Sequence, residues 1–229
     1  LQCLKHIKGL KYPDDYFIKF FFKKKLHTRV NLKFLEFGCG NGNNLILPFI
    51  YGNANTVIGI DYDKILIEYA KYNFNLLANE QNGHYIFYAD DMSYFAALNR
   101  LINADVLSLP NIVNYLPREV YFEFLKNCKN NRLYKKGANF FIRYRTPRDF
   151  RYGLGKRVGY NCYKIDENND ITGEKGAINC FYTEHEMLDL LKEYIGLMDY
   201  HLFHIDFENI AANGDTILNS DIVIWGKIH

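Results

Sequence analysis

The run Lys33-Phe34-Leu35-Glu36-Phe37-Gly38-Cys39-Gly40-Asn41-Gly42 constrains the fold of this chain more than any other segment. A short apolar strand carries one acid, then enters a turn with glycine at every second position, and an apolar helix follows from Asn44. Glycine has no Cβ and takes positive φ readily, so such a turn lets backbone approach a ligand closely. Glu36, just ahead of the turn, points to a ligand that carries positive charge. Glycines between a strand and a helix also serve plain packing, so this segment alone leaves both readings open.

The next two strands favour the ligand. Thr56-Val57-Ile58-Gly59-Ile60 is a second apolar strand, ending in Asp61-Tyr62-Asp63. That acid lies about 20 residues past the glycines, where a βαβ unit sets a carboxylate beside a ribose. A dinucleotide fingerprint, G-x-G-x-x-G, would need glycine where Asn43 or Leu45 stands, so that ligand class fails on spacing. His84-Tyr85-Ile86-Phe87-Tyr88-Ala89 reads as a third strand and runs into Asp90-Asp91-Met92. Either aspartate suits a ligand contact, and either suits the N-cap of the helix that begins near Ser93.

On these three segments the sequence resembles the class I S-adenosylmethionine-dependent methyltransferases. The resemblance implies S-adenosyl-L-methionine as cofactor, with Glu36, Gly38, Cys39, Gly40 and Gly42 around its methionine part. It implies Asp61 on both ribose hydroxyls and Tyr62 against adenine. Asp90 or Asp91 would accept from the adenine amine, with Met92 and Leu109 adjoining. The loop Asn111 to Leu116 would face the methyl group, with Tyr115 near a position where many relatives have a histidine. A tyrosine, with an ordinary pKa near 10, suits orienting an acceptor better than taking its proton. His185, at the start of the last helix, is the better-tuned base.

From Lys33 onward strands alternate with helices, which implies an α/β fold with a mainly parallel sheet covered on both faces. Strands are expected near 33–37, 56–60, 84–88, 104–109, 138–144, 199–206 and 221–227, and helices near 44–51, 64–78, 92–101, 118–131 and 183–195. The last two strands are joined only by the polar stretch Glu208 to Ser220 and are expected to form a hairpin. The resemblance then implies a seven-stranded Rossmann-like sheet in the order 3-2-1-4-5-7-6, with strand seven antiparallel. Thr183-Glu184-His185-Glu186 is a capping box for the last helix. The 229 residues are expected to form one domain. Its N-terminal part, 1–30, holds a helix capped by Asp14, with Tyr16, Phe17, Phe20 and Phe21 on one side, in a lid role.

A long insertion, 145–182, is expected to choose the acceptor. Arg143, Arg145, Arg148, Arg151, Lys156 and Arg157 cluster at its start with only Asp149 against them. Arginine suits two-pronged recognition of phosphate or carboxylate, so Arg143, Arg145 and Arg148 are expected to contact an anionic acceptor. The alternative is pairing with Asp166, Glu167, Asp170 and Glu174 in the same insertion. A small polar acceptor such as a phosphorylated or nucleotide-linked sugar fits, and surface polysaccharide biosynthesis would suit it. The net charge of +2 argues against a nucleic-acid footprint. The stretch Ser108-Leu109-Pro110-Asn111 departs from the N-P-P-Y motif of DNA amino-methylating relatives. No apolar run spans a bilayer. Cys3, Cys39, Cys128, Cys162 and Cys180 form no C-x-x-C pair, so neither a metal site nor a disulfide framework is expected, and a reducing, cytoplasmic setting follows. His201 and His204, three apart in a strand, should face opposite ways.

Overall fold

A computed structural model describes residues 5–53, 55–78, 83–168, 171, 173–211 and 213–229. In chain order its elements are α1 (Asp15–Lys23), β1 (Lys33–Phe37), α2 (Ile46–Tyr51), β2 (Thr56–Asp61), α3 (Lys64–Ala78), β3 (His84–Ala89), α4 (Met92–Leu98) and β4 (Ala104–Pro110). They continue with α5 (Arg118–Asn130), β5 (Tyr134–Arg145), β6 (Lys156–Gly159), β7 (Cys162–Lys164), β8 (Ile178–Cys180), α6 (Glu184–Ile195), β9 (Met198–Ile210) and β10 (Thr216–Ile228). Seven strands form one sheet in the order β3-β2-β1-β4-β5-β10-β9. The first five run parallel, while β10 lies antiparallel to both β5 and β9. This is the expected order, with β10 in the place of strand seven.

Strand alternation sends side chains to two separate cores. Leu35, Phe37, Leu107, Leu109, Phe140, Ile142 and Tyr144 pack on one face, against α4, α5 and α6. Phe34, Val106, Phe141, Val223 and Trp225 pack on the other, with Phe17, Phe20 and Phe21 of α1 and Phe49 and Phe74 of α2 and α3. The three α1 phenylalanines fall at i, i+3 and i+4, which aligns them on one helix face. Each is fully buried, which stabilises the docked helix by roughly 1.5 to 3 kcal/mol per ring. Asp14 starts α1 by accepting from the Tyr16 and Phe17 amides.

Two elements differ from expectation. The stretch expected as a polar loop, 208–220, is mostly strand, because β9 and β10 stay in register as far as Ile210 and Thr216. Within the insertion, β6, β7 and β8 form a small antiparallel sheet of their own. Cys162 and Cys180 are joined there by a disulfide, which corrects the expectation drawn from their scattered spacing. Sequence distance hid the pairing: β7 and β8 are antiparallel neighbours that set these two residues opposite one another. Disulfides persist in oxidising surroundings, so the cysteines no longer support a reducing compartment. Cys39 and Cys128 are free and buried, while Cys3 lies outside the described residues. Among the described residues, no helix is long and apolar enough to cross a membrane.

Candidate cofactor site

Parallel register brings Glu36 of β1 beside Ser108 of β4, and β4 in turn sets Pro110 beside Arg143 of β5. Glu36, Ser108 and Arg143 alternate with apolar neighbours and so share the face that α1 covers. They lie at the carboxyl edge of the parallel strands, the edge where open α/β sheets bind ligands. A polar row thus interrupts an apolar face where the chain turns over it.

Glu36 is 1% exposed. Its Oε2 accepts from Ser108 Oγ at 2.7 Å and from Asn44 Nδ2 at 3.4 Å, whereas its Oε1 is buried without a partner. Burial, opposed by those two bonds and reinforced by the negative fields of Asp14 and Asp61, raises its pKa from 4.5 to about 8. A carboxyl of this kind gains most from a cationic ligand that meets the open oxygen. It borders a cleft of about 600 Å³, walled by Gly38, Gly40, Asn41, Asn44, Leu66, Pro110 and Asn111 on the sheet side and by Gly9 to Asp14 across from them.

The three glycines of the turn all take positive φ, 69° at Gly38, 53° at Gly40 and 79° at Gly42. A Cβ at Gly38 would strike Ile112, and one at Gly42 would strike Phe74, so packing dictates those two. Gly40 meets nothing within 4 Å. Its bare face is therefore free to receive a ligand. Packing thus accounts for Gly38 and Gly42 but not for Gly40.

Asparagines tie the segment 8–14 down as a strap over this turn. Asn41 donates to the Lys8 and Leu10 carbonyls at 2.8 Å each and accepts from the Leu10 amide at 3.2 Å. Asn73 accepts from the Lys8 amide, Asn43 donates to the Tyr12 carbonyl, and Asn44 accepts from the Asp14 amide. Arg143 then grips the strap's end: it bonds Asp14 at 2.5 Å and Asp221 at 2.6 Å. Burial works against the Arg143 charge, but Asp221 and Asp14 outweigh it and leave its pKa raised. No sequence motif marks Asn44, Asn73, Ser108 or Asp221. Ser108 is legible only once the β1–β4 register is known, and the asparagines are hidden in a composition rich in them.

Asp61 closes the turn from β2. Its Oδ2 accepts from the Gly40 amide at 2.8 Å and its Oδ1 from the Asp63 amide at 3.0 Å. Tyr62 beside it is 79% exposed. Asp91 is the N-cap of α4, accepting from the Ser93 and Tyr94 amides. Asp90 accepts a local bond, from the Asp91 amide, and its own amide binds the Asp61 carbonyl, which holds it beside Asp61. Asp91 thus fills the N-cap role that the sequence offered for this pair. The side chains of Met92, Leu109 and Cys39 are buried in the two cores, and burial pushes the Cys39 thiol well up.

Beyond β4 the arrangement is less open than sequence suggests. Tyr115 donates to Glu174 Oε1 at 2.8 Å and accepts from Arg145 at 3.0 Å, while Arg145 also bonds both Glu174 oxygens and Asn179. Burial raises the Tyr115 pKa, further from that of a useful base. Arg143 and Arg145, expected at an anionic acceptor, are thus engaged by acids of the chain itself. Arg151 likewise pairs with Asp149 and Glu174. Arg148 pairs with Asp206 but stays 65% exposed, and Lys156 and Arg157 are exposed on β6. Asp170, one of the acids expected to pair with them, lies outside the described residues. His185 is 90% exposed and pairs with Asp189 one turn on along α6. It does not border the cleft, so the role of base is not carried forward. His204 bonds Glu184, and His201 lies by Trp225. No cluster of three His, Cys, Asp or Glu among the described residues is arranged to hold a metal.

The fold has solved counterparts. An S-adenosylmethionine-dependent methyltransferase from Methanosarcina mazei is 18% identical with a TM-score of 0.59, over 87% of this chain and 93% of that one. Magnesium protoporphyrin IX methyltransferase from Synechocystis, solved with bound S-adenosylhomocysteine, is 14% identical with a TM-score of 0.61, over 93% and 80%. A third such methyltransferase, from Clostridium acetobutylicum, is 16% identical with a TM-score of 0.58, over 92% and 91%. No protein-family model matches the chain, and no curated protein matches it in sequence. The chain therefore has the fold of the class I S-adenosylmethionine-dependent methyltransferases, a likeness carried by topology at low identity.

The residues present fit the cofactor that this fold binds. Glu36 offers a buried unpartnered oxygen for an ammonium group, Gly40 a face with no Cβ, and Asp61 a carboxylate one turn away at the end of β2.

Proposed function

We propose that this protein is an S-adenosylmethionine-dependent methyltransferase acting on a small polar acceptor of anionic character, such as a phosphorylated or nucleotide-linked sugar. The observation that carries the donor half is the buried Glu36 carboxyl, with one oxygen unpartnered, in the lining of the same cleft as Gly40. Glu36 binds the α-ammonium of the cofactor, Asp61 its ribose hydroxyls, and Asp90 its adenine amine, with Tyr62 against the base. The cofactor supplies a methyl group on a sulfonium centre that is already electrophilic. The protein's share is alignment and exclusion of water. The strap 8–14 shields the cleft, and Asn111, whose φ of 55° turns the chain at the cleft wall, leads into the loop that orients the acceptor.

An anionic acceptor is recognised by the exposed cations Arg148, Lys156 and Arg157, because Arg143 and Arg145 are held by Asp14, Asp221 and Glu174. An acceptor oxygen that is already ionised needs no base, which suits a site without a free histidine. Calorimetry with S-adenosylhomocysteine and with NAD tests the donor half: preference for NAD overturns it. Transfer assays over pools of sugar phosphates and nucleotide sugars, read by mass spectrometry, test the acceptor half. A gain of roughly 14 mass units, one CH₂ delivered to the nucleophile, identifies the acceptor, and methylation of neutral sugars alone would remove the anionic reading.

A further inference from the structure

We infer that Asn44 is a positioning residue that couples the ligand state of Glu36 to closure of the strap 8–14. The inference rests on the donor reading above. Asn44 is buried between β1 and the strap, and the two ends of its amide face different partners. Its Oδ1 accepts from the backbone amide of Asp14 at 2.7 Å, and its Nδ2 donates to Glu36 Oε2 at 3.4 Å. The first bond is short and the second is at the long limit for a hydrogen bond. A carboxylate accepts more strongly than a neutral carboxyl does. A cation that partners the buried Oε1 favours the carboxylate, tightens the Asn44 bond, and so fixes the other end of the amide against the strap.

The remaining strap tethers do not report on Glu36. Asn41, Asn43 and Asn73 hold Lys8, Leu10 and Tyr12, and Arg143 holds the Asp14 side chain from the β5 side. Among the described residues Asn44 alone bonds both Glu36 and the strap. The charges that act on Glu36 include Asp14 and Asp61, both acids, and Arg143 on the same sheet face is engaged by Asp14 and Asp221. Strap and ligand then stabilise one another, and reciprocity of linkage requires that loosening the strap weakens the ligand.

The test is amide hydrogen exchange of the whole chain with and without saturating S-adenosylhomocysteine, together with the dissociation rate of that ligand. In the wild type the Lys8, Leu10 and Asp14 amides are expected to exchange at least about tenfold more slowly when it is bound. Asn44→Ala is expected to lose that protection and to release the ligand at least about tenfold faster, the equivalent of roughly 1.4 kcal/mol. Asn73→Ser, which loosens Lys8 without touching Glu36, is expected to keep ligand-dependent protection at Asp14. Equal exchange of the wild-type strap with and without bound ligand overturns the coupling, and needs no variant to fold. So does an Asn44→Ala protein with wild-type protection and release. Absence of any calorimetric binding by the wild type is a different result, and overturns the donor reading itself.

Discussion

Glu36 shows how one residue can be unfavourable for the fold and necessary for the site. Its carboxyl is buried and its pKa rises from 4.5 to about 8. Below pH 4.5 the side chain is neutral in both folded and unfolded chains. Between pH 4.5 and 8 the unfolded chain gives up this proton while the folded chain keeps it, so stability falls as pH rises through that window and levels off above it. Glu36→Gln, with a neutral amide of the same shape, is expected to be more stable than wild type at pH 8 by a few kcal/mol, with little difference near pH 4. Urea denaturation at the two pH values measures this, and an equal gain at both would assign the effect to packing. Because a cation favours the ionised form, S-adenosylhomocysteine should bind the wild type more tightly from pH 6 to 8, by up to about tenfold per unit, and Glu36→Gln with a flatter profile. Asp61 makes the complementary case, with a backbone amide on each oxygen already. Asp61→Ala is expected to weaken the ligand by roughly 10- to 100-fold, the equivalent of about 1.5 to 3 kcal/mol for a charged acceptor. Unchanged calorimetric affinity would return Asp61 to a purely structural role on the Gly40 amide.

At the scale of elements, α1 and the insertion sheet are held in opposite ways. Helix α1 docks through three fully buried phenylalanines against Phe34, Phe141 and Trp225. Phe20→Ala is expected to cost about 3 to 5 kcal/mol by denaturant melting, since a cavity forms as well as transfer energy being lost. The β6–β8 sheet has strands of only four, three and three residues, too few to make a core alone. The Cys162–Cys180 bond closes a sequence separation of 18 residues there, a constraint worth about 3 kcal/mol in the chain-entropy account. Cys180→Ser is therefore expected to speed proteolysis between 156 and 180 while leaving the melting of the main sheet in place. Equal cleavage of oxidised wild type and variant would show that Asn179 and its partners Arg145 and Glu174 hold the sheet unaided.

Across the whole molecule, the charge that matters is local. The net charge of +2 hides a local contrast between the acids Asp14 and Asp61 around Glu36 and the exposed cations Arg148, Lys156 and Arg157 of the insertion. On the proposed reading, a cationic donor goes to the acids and an anionic acceptor to the exposed cations. Replacing Arg148, Lys156 and Arg157 together by glutamine is expected to raise KM for an anionic acceptor by at least about tenfold, with S-adenosylhomocysteine affinity unchanged. A parallel loss of cofactor affinity would instead point to disruption of the fold around the insertion.

The element pattern and the cofactor motif were legible in the chain itself. Hydrophobic periodicity located β1 to β4 within a residue or two, and the spacing of Glu36, the glycines and Asp61 follows from the βαβ unit that any such sequence must form locally. The capping box at Thr183 and Glu186 was equally local and is present as both bonds. What depends on contacts between distant segments was not legible. Arg143 meets Asp14 and Asp221, and Cys162 meets Cys180, only because the sheet and the insertion bring those segments side by side. The basic run left free charge and pairing with Glu174 both open, and Arg145 and Arg151 do pair with Glu174, whereas the partners of Arg143 are named by register and packing rather than by neighbours in the chain. For the same reason His185 looked available, and only the rotation of α6 against its core decided that its ring faces solvent.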